Sequence, residues 1–158
     1  MTLRAQIAPV KTKNSISQFC LFLVLSFFGT LLCVSTAVAQ HTPEKGSVER
    51  KAITDALRVP VEKKLKQKVV FNIDHLMVQD DWAFMLGAPR KPNGGEVDYS
   101  KTSYAKAVAL GMFDDGISAL LRKVRGRWTV VKYVIGATDV VYVEWDKQYR
   151  APSGIFPQ

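Results

Sequence analysis

Apolar side chains recur every four residues at Ile53, Leu57, Val61 and Leu65, which puts them on one face of a helix. Val48, Ala52 and Ala56 widen that stripe. Ser47 is placed to cap the first turn by accepting from a free backbone N–H, and Glu49 suits the positive helix end. Pro60 lies inside the stripe and is expected to kink or split the helix, because it lacks an N–H and clashes with the preceding turn. Lys63, Lys64, Lys66 and Lys68 crowd the far end, where cations complement the helix dipole. The period then falls to two. Over residues 69–78, Val69, Phe71, Ile73, His75 and Met77 share one parity, while Asn72 and Asp74 take the other. A turn at Gln79-Asp80-Asp81 leads to a second strand over 82–88, ended by Pro89. Residues 89–103 form the main loop, with an Asn93-Gly94-Gly95 turn signal. A short helical turn near 104–112 and a turn at Asp114-Asp115-Gly116 follow. Strands over 117–124 and 128–135 flank Arg125-Gly126-Arg127, a hairpin signal. Thr138 or Asp139 then caps a last helix, with Val141, Trp145 and Tyr149 at i, i+4 and i+8. Ala151-Pro152 ends it, and Ile155 and Phe156 fold back.

The order α, ββ, loop, ββ, α predicts an α+β fold: a four-stranded antiparallel sheet from two hairpins, packed by an N-terminal and a C-terminal helix. The strands are apolar on both parities, as at Thr129, Val131, Tyr133 and Ile135 against Trp128, Val130 and Val134. Such a sheet must be covered twice. Two helices would do it, and so would a homodimer or a concave ligand pocket. A long helix ahead of a curved antiparallel sheet resembles the cystatin or nuclear transport factor 2-like architecture in element order.

A different pattern precedes the domain. Arg4, Lys11 and Lys13 give a positive start, residues 19–34 are an apolar run, and Ala37 and Ala39 have the A-x-A spacing. This is the layout of a cleaved secretory signal, with the cut between Ala39 and Gln40. The expected organisation is a signal peptide over 1–39, a flexible lead over 40–46 and a single domain over 47–158. The competing reading is an uncleaved anchor over 19–39, the only membrane contact the sequence would then provide. A lipoprotein site at Cys33 is rejected, since Leu32 is too large for the position before the cysteine. The layout points to the periplasm first and to full secretion second.

Composition matters mainly through what cleavage removes. The 158-residue chain has 22 Lys and Arg against 14 Asp and Glu. Losing 39 residues leaves 119, with 19 basic and 14 acidic side chains and a net charge of +5. Cys20 and Cys33, the only cysteines, leave with the signal. The mature chain then has no disulfide, thiolate zinc site or cysteine nucleophile, and it must rest on its apolar core.

Candidate chemistry is sparse. His41 falls in the lead, and His75 falls on an apolar strand parity, where it is either a general base with a nearby Asp or a satisfied, partly buried histidine. Asp80-Asp81 and Asp114-Asp115 fall at turns, where Asp bonds nearby backbone N–H groups; neither fits a calcium loop. No nucleophile elbow, phosphate loop or metal-ligand spacing occurs, so no cofactor and no metal are expected. The basic clusters are Lys63, Lys64, Lys66 and Lys68, and Arg122, Lys123, Arg125 and Arg127. They read either as a solvated helix end and hairpin tip or as contacts for an anionic envelope component or an acidic envelope protein. Export disfavours nucleic acid.

The string DDG…ALLRK…GRW.VV…IG.TDV.Y..W…Y.AP…F, from Asp114 to Phe156, resembles small exported bacterial proteins of uncharacterised function. That resemblance covers about the C-terminal third and implies no catalytic residue. Function is therefore expected to be a non-catalytic binding or interaction module of the cell envelope, with Lys63, Lys64, Arg125 and Arg127 as contacts. The alternative is a small enzyme or ligand carrier with a pocket between helix and sheet, served by His75.

Overall fold

The structure, a computed structural model, describes residues 39–158. The expected signal peptide, Ala37 included and Ala39 excepted, lies outside the described residues. Among the described residues no helix is long and apolar enough to cross a membrane.

Helix α1 (Val48–Leu65) starts where Ser47 Oγ accepts from Arg50 N at 3.2 Å. Ile53, Leu57, Val61 and Leu65 are buried to within 1% of complete exclusion, as the four-residue period requires. Val48 and Ala52 stay exposed, so the buried stripe is narrower than expected. The helix runs through Pro60 as one element. Burial of Leu57 and Val61 on either side holds it against the sheet and offsets the missing N–H. It stops at Lys66, which adopts the left-handed conformation and donates its N–H to the Glu62 carbonyl at 2.7 Å.

Four strands follow: β1 (Val70–Gln79), β2 (Trp82–Arg90), β3 (Ile117–Val124) and β4 (Arg127–Ile135). They form one antiparallel sheet in the order β1-β2-β3-β4, two hairpins side by side. The Arg125-Gly126 turn has positive φ at both residues, the backbone that matches strand twist in a tight hairpin. Pro89 lies within β2 instead of ending it. The β2–β3 pairing stops at Gly87, so the absent N–H of Pro89 costs no bond on that side.

The pairing of β1 with β2 shifts between Ile73 and His75. Asp74 is the extra residue, and a bulge of this kind turns the following side chains to the opposite face. Phe71 and Ile73 pack with α1, whereas Met77 packs on the other face. The expected shared parity of Ile73, His75 and Met77 is therefore broken. The sequence carries no mark of the bulge beyond Asp74 itself.

Both faces of the sheet are covered from within the chain. On one, α1 packs over Val78, Ala83, Met85, Ala119 and Leu121, all at 1% exposure or less. On the other, residues 136–158 lay down Trp145, Ala151, Ile155 and Phe156 over Trp82, Phe84 and Leu120. Phe84 is the centre of this second core, with ring centroids 4.6 Å from Phe156, 4.8 Å from Tyr142 and 6.2 Å from Trp145. The expected C-terminal helix is one turn long, α3 (Trp145–Tyr149). The β-branched Val140, Val141 and Val143 disfavour an earlier start. Val141, Trp145 and Tyr149 still meet the same core.

A second short helix, α2 (Ala105–Ala109), lies in the loop between the hairpins. The lead is tied down at two points, His41 and Pro43. His41 exchanges backbone hydrogen bonds with Val78, both 2.8 Å, and the buried Pro43 accepts from the Arg50 guanidinium at 3.0 Å. Its polar, Pro- and Gly-containing composition suggests slack, and the pairing that anchors it is invisible locally.

Candidate functional site

His75 is the first residue to place. Its Nε2 lies 2.8 Å from the Ile155 carbonyl. A carbonyl only accepts, so the ring proton sits on Nε2 and the histidine ties the C-terminal segment to β1. Its ring lies 6.0 Å from that of Phe84. Among the described residues no carboxylate is hydrogen-bonded to it. Asp74, its neighbour, lines a separate hollow of about 170 Å³ with Asp114 and Asp139. Asp114 accepts there from Gly116 N at 2.7 Å, a turn contact. Asp115 pairs with Arg90 at 2.6 Å, and Asp80 occupies the β1–β2 turn with φ of 53°. Among the described residues no group of three or more His, Asp or Glu side chains is disposed to hold a metal ion.

The two basic clusters fare differently. Arg122 and Lys123 point to opposite faces of the sheet, over the rings of Trp82 at 5.0 Å and Trp128 at 5.7 Å. Arg125 and Arg127 stand exposed at the hairpin tip and, among the described residues, line none of the principal hollows. Lys63 and Lys64 do converge. With Lys66 and Lys101 they line an open hollow of about 520 Å³, walled also by Ser103 and Tyr133. The last turn of α1 sets Lys63 and Lys64 side by side, and the left-handed Lys66 brings the chain around its end.

The opposite wall comes from the loop after β2. Gln67 clasps that loop with two hydrogen bonds to Asp98, donating to its carbonyl at 2.7 Å and accepting from its N–H at 3.1 Å. Asp98 in turn accepts from the Ser100 hydroxyl at 2.6 Å and backbone N–H at 3.0 Å. These bonds hold its carboxyl below the usual range. Thr102 Oγ1 donates to the Tyr99 carbonyl at 2.8 Å and accepts from Tyr104 N at 3.1 Å. A three-residue helical turn, Tyr99–Lys101, thus presents Lys101 and Ser103 to α1. Underneath, Tyr99, Tyr104 and Phe113 pack on one another, with centroids 4.5 to 6.3 Å apart.

The electrostatics of the cleft are one-sided. No Asp or Glu lines it. Burial pushes the Tyr99 phenol up to about 12 and raises that of Tyr104, so both rings stay neutral. Among the described residues Lys63, Lys64, Lys66 and Lys101 form no ion pair, while Lys51, Lys68 and Lys147 do. Lys64 Nζ sits 5.6 Å above the Tyr104 ring. The cleft can therefore hold an anion by several ammonium groups and a free hydroxyl, and it offers no acid–base pair. Lys101 is the residue that sequence reading missed. It sits 35 residues beyond Lys66 in a stretch that reads as loop, with no spacing to link the two.

Directly beneath α1 the space is filled by Ile53, Leu57, Val61, Met85 and Leu121, each at 0% exposure. A hollow of about 310 Å³ does open between α1 and β1, lined by Arg50, Thr54, Arg58, Phe71 and Ile73, and His75 does not line it. Comparison of the chain with family models, with curated proteins and with solved structures gives no match, so the site is read from its own chemistry.

Proposed function

We propose that this chain is an exported, non-catalytic binding module of the cell envelope, periplasmic in the first instance, and that the cleft at the end of α1 takes an anionic envelope component. The observation that carries the reading is the convergence on one hollow of four lysines, from two separate chain segments, that form no ion pair among the described residues. Lys63, Lys64 and Lys66 alone would be accounted for by the helix dipole. Lys101 would not, because it comes from a loop clasped in place by Gln67 and Asp98. Four like charges held together repel one another, and an anion would relieve that cost.

The test uses the full chain, tagged at the exposed C-terminal Gln158 and purified as it accumulates after export. Mass measurement reports whether it starts at Gln40. Envelope material retained by it is then compared with that retained by Lys64→Glu/Lys101→Glu. The expected result is retention of an anionic component, released by salt and lost in the double variant. Equal retention by both proteins overturns the proposal. So does a turnover abolished by His75→Ala with the fold intact, which favours the enzyme reading.

A further inference from the structure

We infer that the anion is a flexible chain of phosphate groups laid across the end of α1, an inference that rests on the cleft being the binding site. Lys63 and Lys66 line two hollows, not one. The second, of about 530 Å³, is completed by Val59, Gln67, Lys68 and Glu62. A ridge that is cationic towards both sides suits a ligand running over it, whereas one compact anion would occupy a single hollow. Glu62 does not oppose such a ligand. Its carboxylate already accepts from Lys68 Nζ at 2.7 Å and from Val69 N at 3.1 Å.

The cations of the cleft are all lysines. An arginine fork matches a planar carboxylate in two parallel hydrogen bonds, and none lines either hollow. An ammonium group is a compact point charge that serves a tetrahedral phosphate from any side. Ser103 Oγ adds a donor on the same wall.

The aromatic groups do not present a platform for bases. Tyr104 has Lys64 over one face and packs against Tyr99 and Phe113. Tyr133 turns its hydroxyl to the Pro60 carbonyl at 3.4 Å. Single-stranded nucleic acid is held largely by bases stacked on aromatic faces. What the cleft reads is a phosphate backbone alone, as in a phosphodiester-linked envelope polymer or inorganic polyphosphate.

The experiment is a competition titration on the full chain as processed on export. The probe is fluorescently labelled long-chain polyphosphate. The competitors are pyrophosphate, a glycerol phosphate oligomer, polyglutamate and oligo(dT), matched in charge. Long phosphate chains should outcompete pyrophosphate at least ~10-fold at equal charge, because linked contacts act together. With four lysines engaged and about −0.7 in log–log slope for each, binding should weaken about 50-fold between about 50 and about 200 mM salt. Lys63→Gln/Lys66→Gln should remove the chain-length advantage, and Lys64→Gln/Lys101→Gln should weaken every phosphate ligand. Unchanged unfolding midpoints in both variants confirm that they are folded. The better of the two phosphate polymers identifies the source. Polyglutamate, oligo(dT) or pyrophosphate binding as tightly as the phosphate chain overturns this inference but leaves the cleft standing if Lys64→Gln/Lys101→Gln still weakens it. If neither pair of substitutions changes binding, the cleft reading falls as well.

Discussion

Phe84 and Phe156 test whether the C-terminal segment is part of the core. Phe84 is fully buried in β2, and Phe156 lies near the chain end at 8% exposure, with the two rings 4.6 Å apart. Removing a buried phenylalanine to alanine costs about 3–5 kcal/mol, a large share of the roughly 5–15 kcal/mol that holds a small domain. Phe84→Ala is therefore expected near that range, and Phe156→Ala somewhat below it. Their coupling is the sharper quantity. An aromatic pair in contact adds about 0.5–1.5 kcal/mol beyond burial. A double-mutant cycle with leucine at both positions keeps most of the apolar volume, and the cycle cancels the other ring contacts of Phe84 to leave the pair's own contribution. The double variant should then be more stable than additivity predicts, by about 1 kcal/mol. Urea unfolding followed by tryptophan fluorescence reads it directly, since Trp82 and Trp145 share this core. Ile53→Val, on the other side of the sheet, should add to Phe84→Leu within about 0.3–0.5 kcal/mol. Additivity of Phe84 and Phe156 to the same tolerance would mean that the C-terminal segment does not cover this face.

Three further outcomes follow from the geometry. His75→Ala leaves the Ile155 carbonyl without its donor, which should cost about 1–3 kcal/mol and raise amide exchange over residues 151–156; His75→Gln, which keeps a donor, should recover part of it, and unchanged exchange would deny the tie. The Lys68 hydrogen bond holds the Glu62 carboxyl below its ordinary value of 4.5, against partial desolvation and helped by Val69 N–H. Its folded value is thus lower than its unfolded one, so its contribution is complete above that range and is lost as pH falls through the folded value. Glu62→Gln should flatten the fall in urea midpoint between neutral and acid pH, and an identical slope would refute the pairing. A β-carbon at Gly87 would lie 2.1 Å from the Asn72 carbonyl oxygen. Gly87→Ala should lower the thermal midpoint by the equivalent of about 1–3 kcal/mol, and an unchanged midpoint would mean a different register beside the bulge.

Most of the sheet and α1 was legible because each rests on short-range pattern. The four-residue period of Ile53, Leu57, Val61 and Leu65 and the paired apolar runs around Asp80-Asp81 and Arg125-Gly126 needed no tertiary information. The departures share a cause. Asp74 bulges only because β2 fixes the register opposite it. Pro60 stays helical because the sheet holds its neighbours, and Pro89 is tolerated because β3 has ended. In the C-terminal segment the apolar stripe holds throughout, while the helix is confined to the single turn at Trp145–Tyr149. Burial against Phe84 selects the side chains of Val141, Trp145 and Tyr149 whatever backbone delivers them.

The cleft was half legible for the same reason. Lys63 and Lys64 announce themselves as a run on a helix end, but a run of charge has no meaning until something faces it. What faces it is Lys101, carried there by the Gln67–Asp98 clasp across 31 residues. Arg125 and Arg127 form an equally visible run, yet both stay exposed at the hairpin tip and share no principal hollow with another segment among the described residues. The covering of both sheet faces from within the chain leaves binding surface where elements end, and at the end of α1 two segments meet with charges of one sign. Because all four lysines are exposed and none supports the core, substitutions there should separate cleanly from those at Phe84 and Gly87. They should change the affinity for anions and its salt dependence, while the unfolding midpoint holds or rises as like charges are removed. A cleft variant that lost stability in step with affinity would show the lysines to be structural, and the binding reading would fail on that result alone.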